Sequence, residues 1–380
     1  MAKSFKSLLK KLPPWFQNPG EEGDVIIGSM ARVVRNLVGH KFPGWSTDED
    51  RKAVADKLLP LIKQLPGNKT AAFCAEMPEL DYTQRRLLLE RKLMSQCMAA
   101  RQGGCHVIIN GKQDITYMIN EEEHLVMHLF SSESDYESLI GKAEAICNKL
   151  ADELTFARDA TGDYLTSLPT ETGSGVQLYT VMHLPALVAA DMMPQIKRAL
   201  EKLMLHMAQL YSNMGDDVAN LFVVYTPPIL TSGEADMAGH LRDITLTIAE
   251  REHDVRNRLN NNASTISLLP DMVSRAYGLL QYAYRLEYSE FINALSMMRL
   301  GTVLGYIEPM ETSPAEFLSH MAALSLLCAP YHMEYQSPQS GAVAYEMART
   351  SFSRDIKNSA MLTLELMRDI LHNYSENDRT

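Results

Sequence analysis

Residues 120–124 read Asn-Glu-Glu-Glu-His, at the end of a run that otherwise has the pattern of a buried strand. Carboxylates grouped this closely repel one another. At least one of Glu121, Glu122 and Glu123 is therefore expected to hold its proton more tightly than usual, unless a cation answers it. Such a group suits a general base or a clamp on a cationic substrate. A solvated acidic turn is the plainer reading, and on this stretch alone it leads.

Two further stretches carry chemistry-bearing residues. In "GSMARVVRNL" (28–37), Arg32 and Arg35 are three apart, so they share a helical face or line one loop. Paired guanidinium groups suit phosphate because each can bond in a bidentate way. Surface arginines pairing with local acids are the alternative. In "GDYLTSLPTETGSGVQLYTVMHLPAL" (162–187), "TGSG" offers a flexible turn that lets backbone approach a ligand. It is not a phosphate-binding P-loop, because no Gly-Lys-Ser/Thr follows. His183 lies on the strand after it, where a histidine is more often a satisfied core residue than a ligand.

The elements that must position these residues follow from the pattern. Helical spacing marks 48–65 and 84–94. "CHVIIN" and "DITYMIN" form a hairpin across "GKQ". Helices are expected at 136–154, 190–213 and 234–259, with strands at 176–184 and in "NLFVVYTPPIL". After "NNNAS" (260–264) the signal is helical, at 270–298, 314–327 and 341–373. The fold class expected is α+β, an antiparallel sheet flanked by helices and followed by a smaller all-helical region. Residues 1–20 form an N-terminal arm, 21–260 a catalytic-type domain and 261–380 a helical domain suited to dimerisation or partner binding.

Bulk composition narrows the function classes. The chain has 380 residues, 46% hydrophobic and 22% charged, an ordinary globular balance. A net charge of −11 argues against nucleic-acid binding through phosphates. No apolar run reaches the roughly 18 residues of a membrane span, and the basic N-terminus "MAKSFKSLLKKLPPWF" reads as a surface helix or a partner-docking arm. Five cysteines without a CxxC pair argue against structural zinc; no metal site is expected, and a reducing cytoplasm fits.

Taken in order, the segments resemble the phosphagen (guanidino) kinase family, specifically the bacterial protein arginine kinases. The family signature Asn-Glu-Glu-Asp-His-Leu-Arg stands here as Asn120 to Val126. Its Tyr-Leu-Thr-Ser-Cys-Pro-Thr is Tyr164 to Thr170, its Gly-Thr-Gly-Leu-Arg is Gly173 to Gln177, and its His-Leu-Pro-Ala-Leu is His183 to Leu187. "RVVRN", "LLLERKLMS" (87–95) and "MRLGTVLG" (298–305) also fit, so the likeness covers almost the whole chain.

The resemblance implies transfer of the γ-phosphoryl of MgATP to a protein arginine, with acids gripping the guanidinium and a cage of arginines holding phosphate. It assigns Glu122, Glu121 and Asp216 to the catalytic acids, and Arg32, Arg35 and His183 to nucleotide binding. It also implies a homodimer, or a partner in the form of a protease adaptor or a true arginine kinase.

The cage, however, is mostly missing. The family's remaining cage arginines fall on Met30, Val126, Gln177 and Ala208, and its reactive cysteine falls on Leu168. A charge-assisted hydrogen bond is worth roughly 1.5–3 kcal/mol, so four losses remove something like 6–12 kcal/mol if crudely additive, or about 10⁴-fold or more in rate. A pseudokinase retained as scaffold or regulator is the expectation. The alternative is an active enzyme whose cage is rebuilt from residues such as Arg158, Lys112 or Lys202. In the tail, Arg354 and Asp355 keep half of the family's phosphoarginine clamp, while Asn358 replaces its second arginine.

Overall fold

The computed structural model describes residues 23–68, 73–211, 218–228, 233–261, 268–283 and 288–307, with Phe5, Leu8 and Pro13. The chain opens with a ten-residue strand, β1 (Ile26–Arg35), then α1 (Asp48–Gln64) and β2 (Phe73–Glu76). Two short helices follow, α2 (Tyr82–Glu90) and α3 (Gln96–Ala99). Next come β3 (His106–Ile109), β4 (Ile115–Ile119), β5 (Leu125–Ser131), α4 (Tyr136–Ala151) and β6 (Val176–His183). The remaining elements are α5 (Pro185–Ala189), α6 (Met193–Lys202), β7 (His206–Gln209), β8 (Leu221–Tyr225), α7 (Glu234–Asn261), α8 (Leu268–Tyr282) and α9 (Tyr288–Val303).

All eight strands form one antiparallel sheet in the order β2-β3-β4-β5-β1-β6-β8-β7. Because side chains alternate along a strand, each strand serves two different faces. One face carries Ala31, Val33, Tyr117, Met127, Leu129, Leu178 and Phe222, buried beneath α1, α4 and α7 through Leu58, Ile62, Leu139, Leu241 and Ile248. The opposite face is covered over β2–β4 by Leu87, Leu88, Leu93 and Met98, with Phe5 and Leu8 joining the same cluster. Over β5, β1, β6, β8 and β7 that second face is only half covered: Met30, Arg32, Gln177, Tyr179 and Tyr225 are partly exposed, and His206 and Ala208 are open.

The hairpin across "GKQ" forms as the turn chemistry requires, with Val107 opposite Met118. Several boundaries differ from the sequence pattern. "GSMARVVRNL" is strand rather than helix or loop, so Arg32 and Arg35 emerge on opposite faces. The segment 190–213 is not one helix: α6 ends at Lys202, Met204 turns the chain at φ 58°, and β7 then pairs with β8 at the sheet edge. The run 84–94 stops being helical after Glu90, and Lys92 takes a left-handed φ of 58°. The stretch 270–298 holds two helices rather than one, and the helices expected at 314–327 and 341–373 lie outside the described residues.

Helices α8 and α9 have their own apolar cluster, built on Leu269, Leu280, Phe291, Leu295 and Met298. Gly301 makes their close approach possible, since a Cβ there would lie 2.5 Å from Val273 Cγ1. Polar groups join this pair to the sheet: Arg299 donates to the Gly23 carbonyl, and Asn220 Nδ2 donates to Ser296 Oγ at 2.8 Å. Among the described residues no helix is long and apolar enough to cross a membrane.

Candidate functional site

The acidic turn joins β4 to β5, and its backbone is fixed from several sides. Asn120 adopts φ 60°, a conformation asparagine tolerates better than most residues. Its Nδ2 donates to the carbonyls of Arg51 (2.8 Å) and Gly104 (2.7 Å). The His124 amide donates to Asn36 Oδ1 at 2.8 Å, and His124 Nδ1 accepts from the Leu37 amide at 3.0 Å. That leaves Nε2 as the protonated nitrogen, 2.8 Å from the Lys41 carbonyl, and burial lowers the pKa of this ring.

The three glutamates meet three different fates. Glu123 points inward and accepts from Asn36 Nδ2 (2.6 Å), the Ser167 amide (2.8 and 3.0 Å) and the Ser167 hydroxyl (2.8 Å). Burial raises its pKa, against the pull of these donors. The expected perturbed carboxyl is thus Glu123, and desolvation rather than mutual repulsion is the main cause. Glu121 is also buried; the Ser95 hydroxyl, which caps α3, donates to it. Glu122 alone faces outward, with its side chain 58% exposed.

Arg32 rises from β1 into this group. Its Nη2 lies 3.7 Å from Glu121 Oε2 and 3.6 Å from Glu122 Oε2, and its Nη1 lies 3.4 Å from Gln177 Oε1. These contacts are longer than tight charge-assisted bonds of about 2.8 Å. The register places Arg32 in one row between His128 on β5 and Gln177 on β6. Burial lowers the pKa of His128 to about 4.

Two other predicted residues stand elsewhere. Arg35 is buried on the opposite face, donating to the carbonyls of Val34 (2.6 Å) and Ser174 (3.0 Å) and lying 3.5 Å over the Tyr164 ring. The "TGSG" turn lets backbone approach this arginine rather than a ligand. Gly175 has φ +67°, and a Cβ there would lie 2.8 Å from Arg35 Nη1 and from the Val34 carbonyl oxygen. His183 is buried against α9, its Nε2 2.7 Å from Ser296 Oγ, and burial keeps its pKa well below the usual histidine value. It is not part of the Arg32 row. Asp216, Arg354 and Asp355 lie outside the described residues.

Residues 53–255 match the family model for the ATP:guanido phosphotransferase C-terminal catalytic domain, more than half of the chain. The chain belongs to that family. Residues 267–355 match the model for the Protein-arginine kinase McsB C-terminal domain. Curated relatives of this chain include "Protein-arginine kinase" of Shouchella clausii (strain KSM-K16), 29% identical over 302 residues, covering 79% of this chain and 84% of the relative. The protein of the same name from Bacillus cereus (strain AH820) is 29% identical over 309 residues, with 80% and 85% covered. Among solved structures, a lombricine kinase aligns with TM-score 0.54 at 16% identity over 68% of this chain and 72% of that one. The duplicated taurocyamine kinase from Schistosoma mansoni with transition-state analogue components aligns with TM-score 0.55 at 15% identity, over 74% and 40%. At such identities the likeness speaks for the fold.

Within this guanidino-phosphotransferase fold, Met30, Val126, Gln177 and Ala208 all share Arg32's face by strand parity and register. None is charged. Val126 is fully buried in an apolar cluster, and Met30 lies between Phe130 and Tyr179 in the register. Of the rival cations, Arg158 stacks 3.9 Å over Tyr164 and donates to the Gly162 carbonyl at 3.0 Å. Lys112 belongs to the turn at the other end of β4, and Lys202 ends α6. Among the described residues, Arg32 is the only arginine or lysine paired with Glu121 or Glu122. A triphosphate needs several cations. Of Met30, Arg32, Val126, Gln177 and Ala208, only Arg32 is a cation, and two carboxylates already face it, so these five positions are a poor match for the phosphates of MgATP.

Sequence reasoning missed an aromatic row on this face. The rings of Tyr179 and Tyr225 stack at 5.4 Å, His206 lies 5.3 Å from Tyr225, and the Tyr179 hydroxyl donates to Gln177 Oε1 at 3.2 Å. The residues lie on three separate strands, and only the cross-strand register joins them.

Proposed function

We propose that this guanidino-kinase homologue has lost phosphotransfer and serves as a scaffold or regulator, a pseudokinase. One observation carries the reading: the guanidinium of Arg32 lies within 3.7 Å of Glu121 and 3.6 Å of Glu122. The one retained phosphate-side cation and the substrate-side acids answer each other, while Met30, Val126, Gln177 and Ala208 add no charge. By family, MgATP is the phosphoryl donor; the proposal is that it does not bind. A homodimer, or an adaptor acting on a protease or on a true arginine kinase, is the assembly this reading favours.

The test is titration calorimetry with MgATP and MgADP, alongside assay of a basic test protein for phosphoarginine. No binding heat and no phosphoarginine are expected; robust MgATP-dependent arginine phosphorylation overturns the reading. A specific observation supports a second reading, an active protein arginine kinase: the turn at 120–124 is rigidly held and still presents Glu122 to solvent. On that reading Glu122→Gln abolishes turnover.

A further inference from the structure

Helix α9 holds one end of the sheet by a polar side chain on each of three successive turns. Arg299 donates to the carbonyl of Gly23, shortly before β1. Ser296 Oγ lies 2.7 Å from Nε2 of His183, the last residue of β6, and accepts at 2.8 Å from Nδ2 of Asn220, just before β8. Asn293 Oδ1 accepts from the Ala219 amide at 2.5 Å. Residues 293, 296 and 299 are three apart, so each rises about 4.5 Å above the last along the helix. Neighbouring strands are about 4.8 Å apart, and β1, β6 and β8 are consecutive in the sheet. The two spacings match, so successive turns of α9 meet successive strands.

The grip falls on strained backbone. Ala219 adopts φ 61° and Asn220 φ 52°. Asparagine tolerates this left-handed region, whereas the Cβ of an alanine crowds the following carbonyl there. Such a conformation persists only where the surroundings impose it. Here they come from the helix pair, because Val218 and Ala219 are buried in the apolar cluster of α8 and α9 and not in the core beneath the sheet. From Asn220 the hold passes into the strands. The Asn220 carbonyl accepts from the Leu184 amide at 2.9 Å, and the Leu221 carbonyl accepts from the Leu210 amide at 3.0 Å. Strand β8 then runs to Tyr225, whose ring stacks on Tyr179 of β6.

We infer that Asn293 and Ser296 are positioning residues for the aromatic row: through the left-handed pair Ala219–Asn220 they fix the offset of β8 against β6, and with it the Tyr179–Tyr225 stack. Withdrawal of α9 lets Ala219 return to negative φ, and the start of β8 moves. The role holds whether or not phosphotransfer is lost, since it concerns the row and not the Arg32 cluster.

Hydrogen exchange of the full chain, read by mass spectrometry on peptides of β8 and of β4, tests the grip. Asn293→Ala is expected to speed exchange in β8 about tenfold, a 1.4 kcal/mol step, and to leave β4 unchanged. Asn293→Asp keeps an acceptor for the Ala219 amide and restores the wild-type rate. Ala219→Gly gives the opposite sign. In an ordinary strand or helix such a glycine loosens the backbone, but here it relieves a φ of 61° and is expected to slow exchange in β8. Combined with Asn293→Ala, it recovers most of the loss. Fluorine NMR of the 3-fluorotyrosine-labelled chain reads the stack itself, with the two signals assigned by Tyr179→Phe and Tyr225→Phe. Both signals move in Asn293→Ala and return in the double variant. Faster β8 exchange in Ala219→Gly overturns the inference. So does an Asn293→Ala chain in which β4 and β8 loosen alike or the two tyrosine signals stay in place. Should Asn293→Ala fail to fold, Ala219→Gly and Asn293→Asp still decide the matter.

Discussion

Asn36 Nδ2 and Glu123 Oε2 are 2.6 Å apart although 87 positions separate them in the chain. This bond ties the end of β1 to the β4–β5 turn, and Asn36 Oδ1 holds the next residue's amide as well. One side chain thereby sets the direction of the whole acidic turn. The lost hydrogen bonds, with the buried carboxylate left to the Ser167 donors alone, give Asn36→Ala a stability cost of roughly 2–3 kcal/mol. Urea unfolding measures it, and a cost below the error of that method would mean that Ser167 alone suffices.

Glu123 also leaves a signature in pH. Its folded pKa is raised, chiefly by burial. From the unfolded value of about 4.3 upward, the folded state retains a proton that the unfolded state releases, so its contribution to stability is lost as pH rises through the folded pKa. Glu123→Gln is expected to flatten the stability curve on that side of pH 4.3. An unchanged curve would show that the carboxyl titrates normally.

Histidine works in the opposite sense. Burial holds His128 neutral, with its pKa lowered to about 4, Glu121 opposing and Arg32 assisting. Below about 6.5 the unfolded chain takes up a proton that the folded one refuses, so stability falls by up to about 1.4 kcal/mol per pH unit on acidification. His128→Gln removes one proton's worth of that slope between pH 6.5 and pH 4. Unfolding free energies at pH 5 and pH 7 decide the matter.

Local pattern made some of this legible and hid the rest. The β3–β4 hairpin was readable because its turn and its alternation lie within one short stretch. The acidic turn was readable because three glutamates are consecutive, yet nothing local separates Glu122 from Glu123. That distinction comes from Asn36 and Ser167, far away in sequence. Arg32 and Arg35 look like a pair at helical spacing, and strand geometry sends them to opposite faces. Strand β7 is short and follows a helix directly, so the helical pattern runs on into it although Met204 turns the chain just before it begins. The Tyr179–Tyr225 stack needed the sheet order, which no local window contains.

Gly175 tests the account of Arg35. An alanine there meets both a left-handed φ and two atoms at 2.8 Å. A strained φ of this kind costs roughly 1–3 kcal/mol, and the contacts add to it. Gly175→Ala is therefore expected to lower the melting temperature. By contrast Gly141→Ala, which meets nothing within 4 Å in the middle of α4, is neutral or stabilising. Equal tolerance of both would mean that the turn does not grip Arg35.

Restoring the cage should be possible at some positions and not at others. Gln177 is half-buried and Ala208 is open, both on the Arg32 face, so arginine fits there without desolvation. Val126 lies fully buried among Met118, Val107 and Leu88. An arginine in that cluster is a buried charge without a partner, a defect that costs roughly 3–5 kcal/mol. Gln177→Arg with Ala208→Arg is expected to fold normally and to bind MgADP measurably by calorimetry, whereas Val126→Arg is expected to unfold early on heating. If the double variant gains no nucleotide affinity, missing charge is not what keeps nucleotide out, and the aromatic row of Tyr179 and Tyr225 becomes the barrier to remove next.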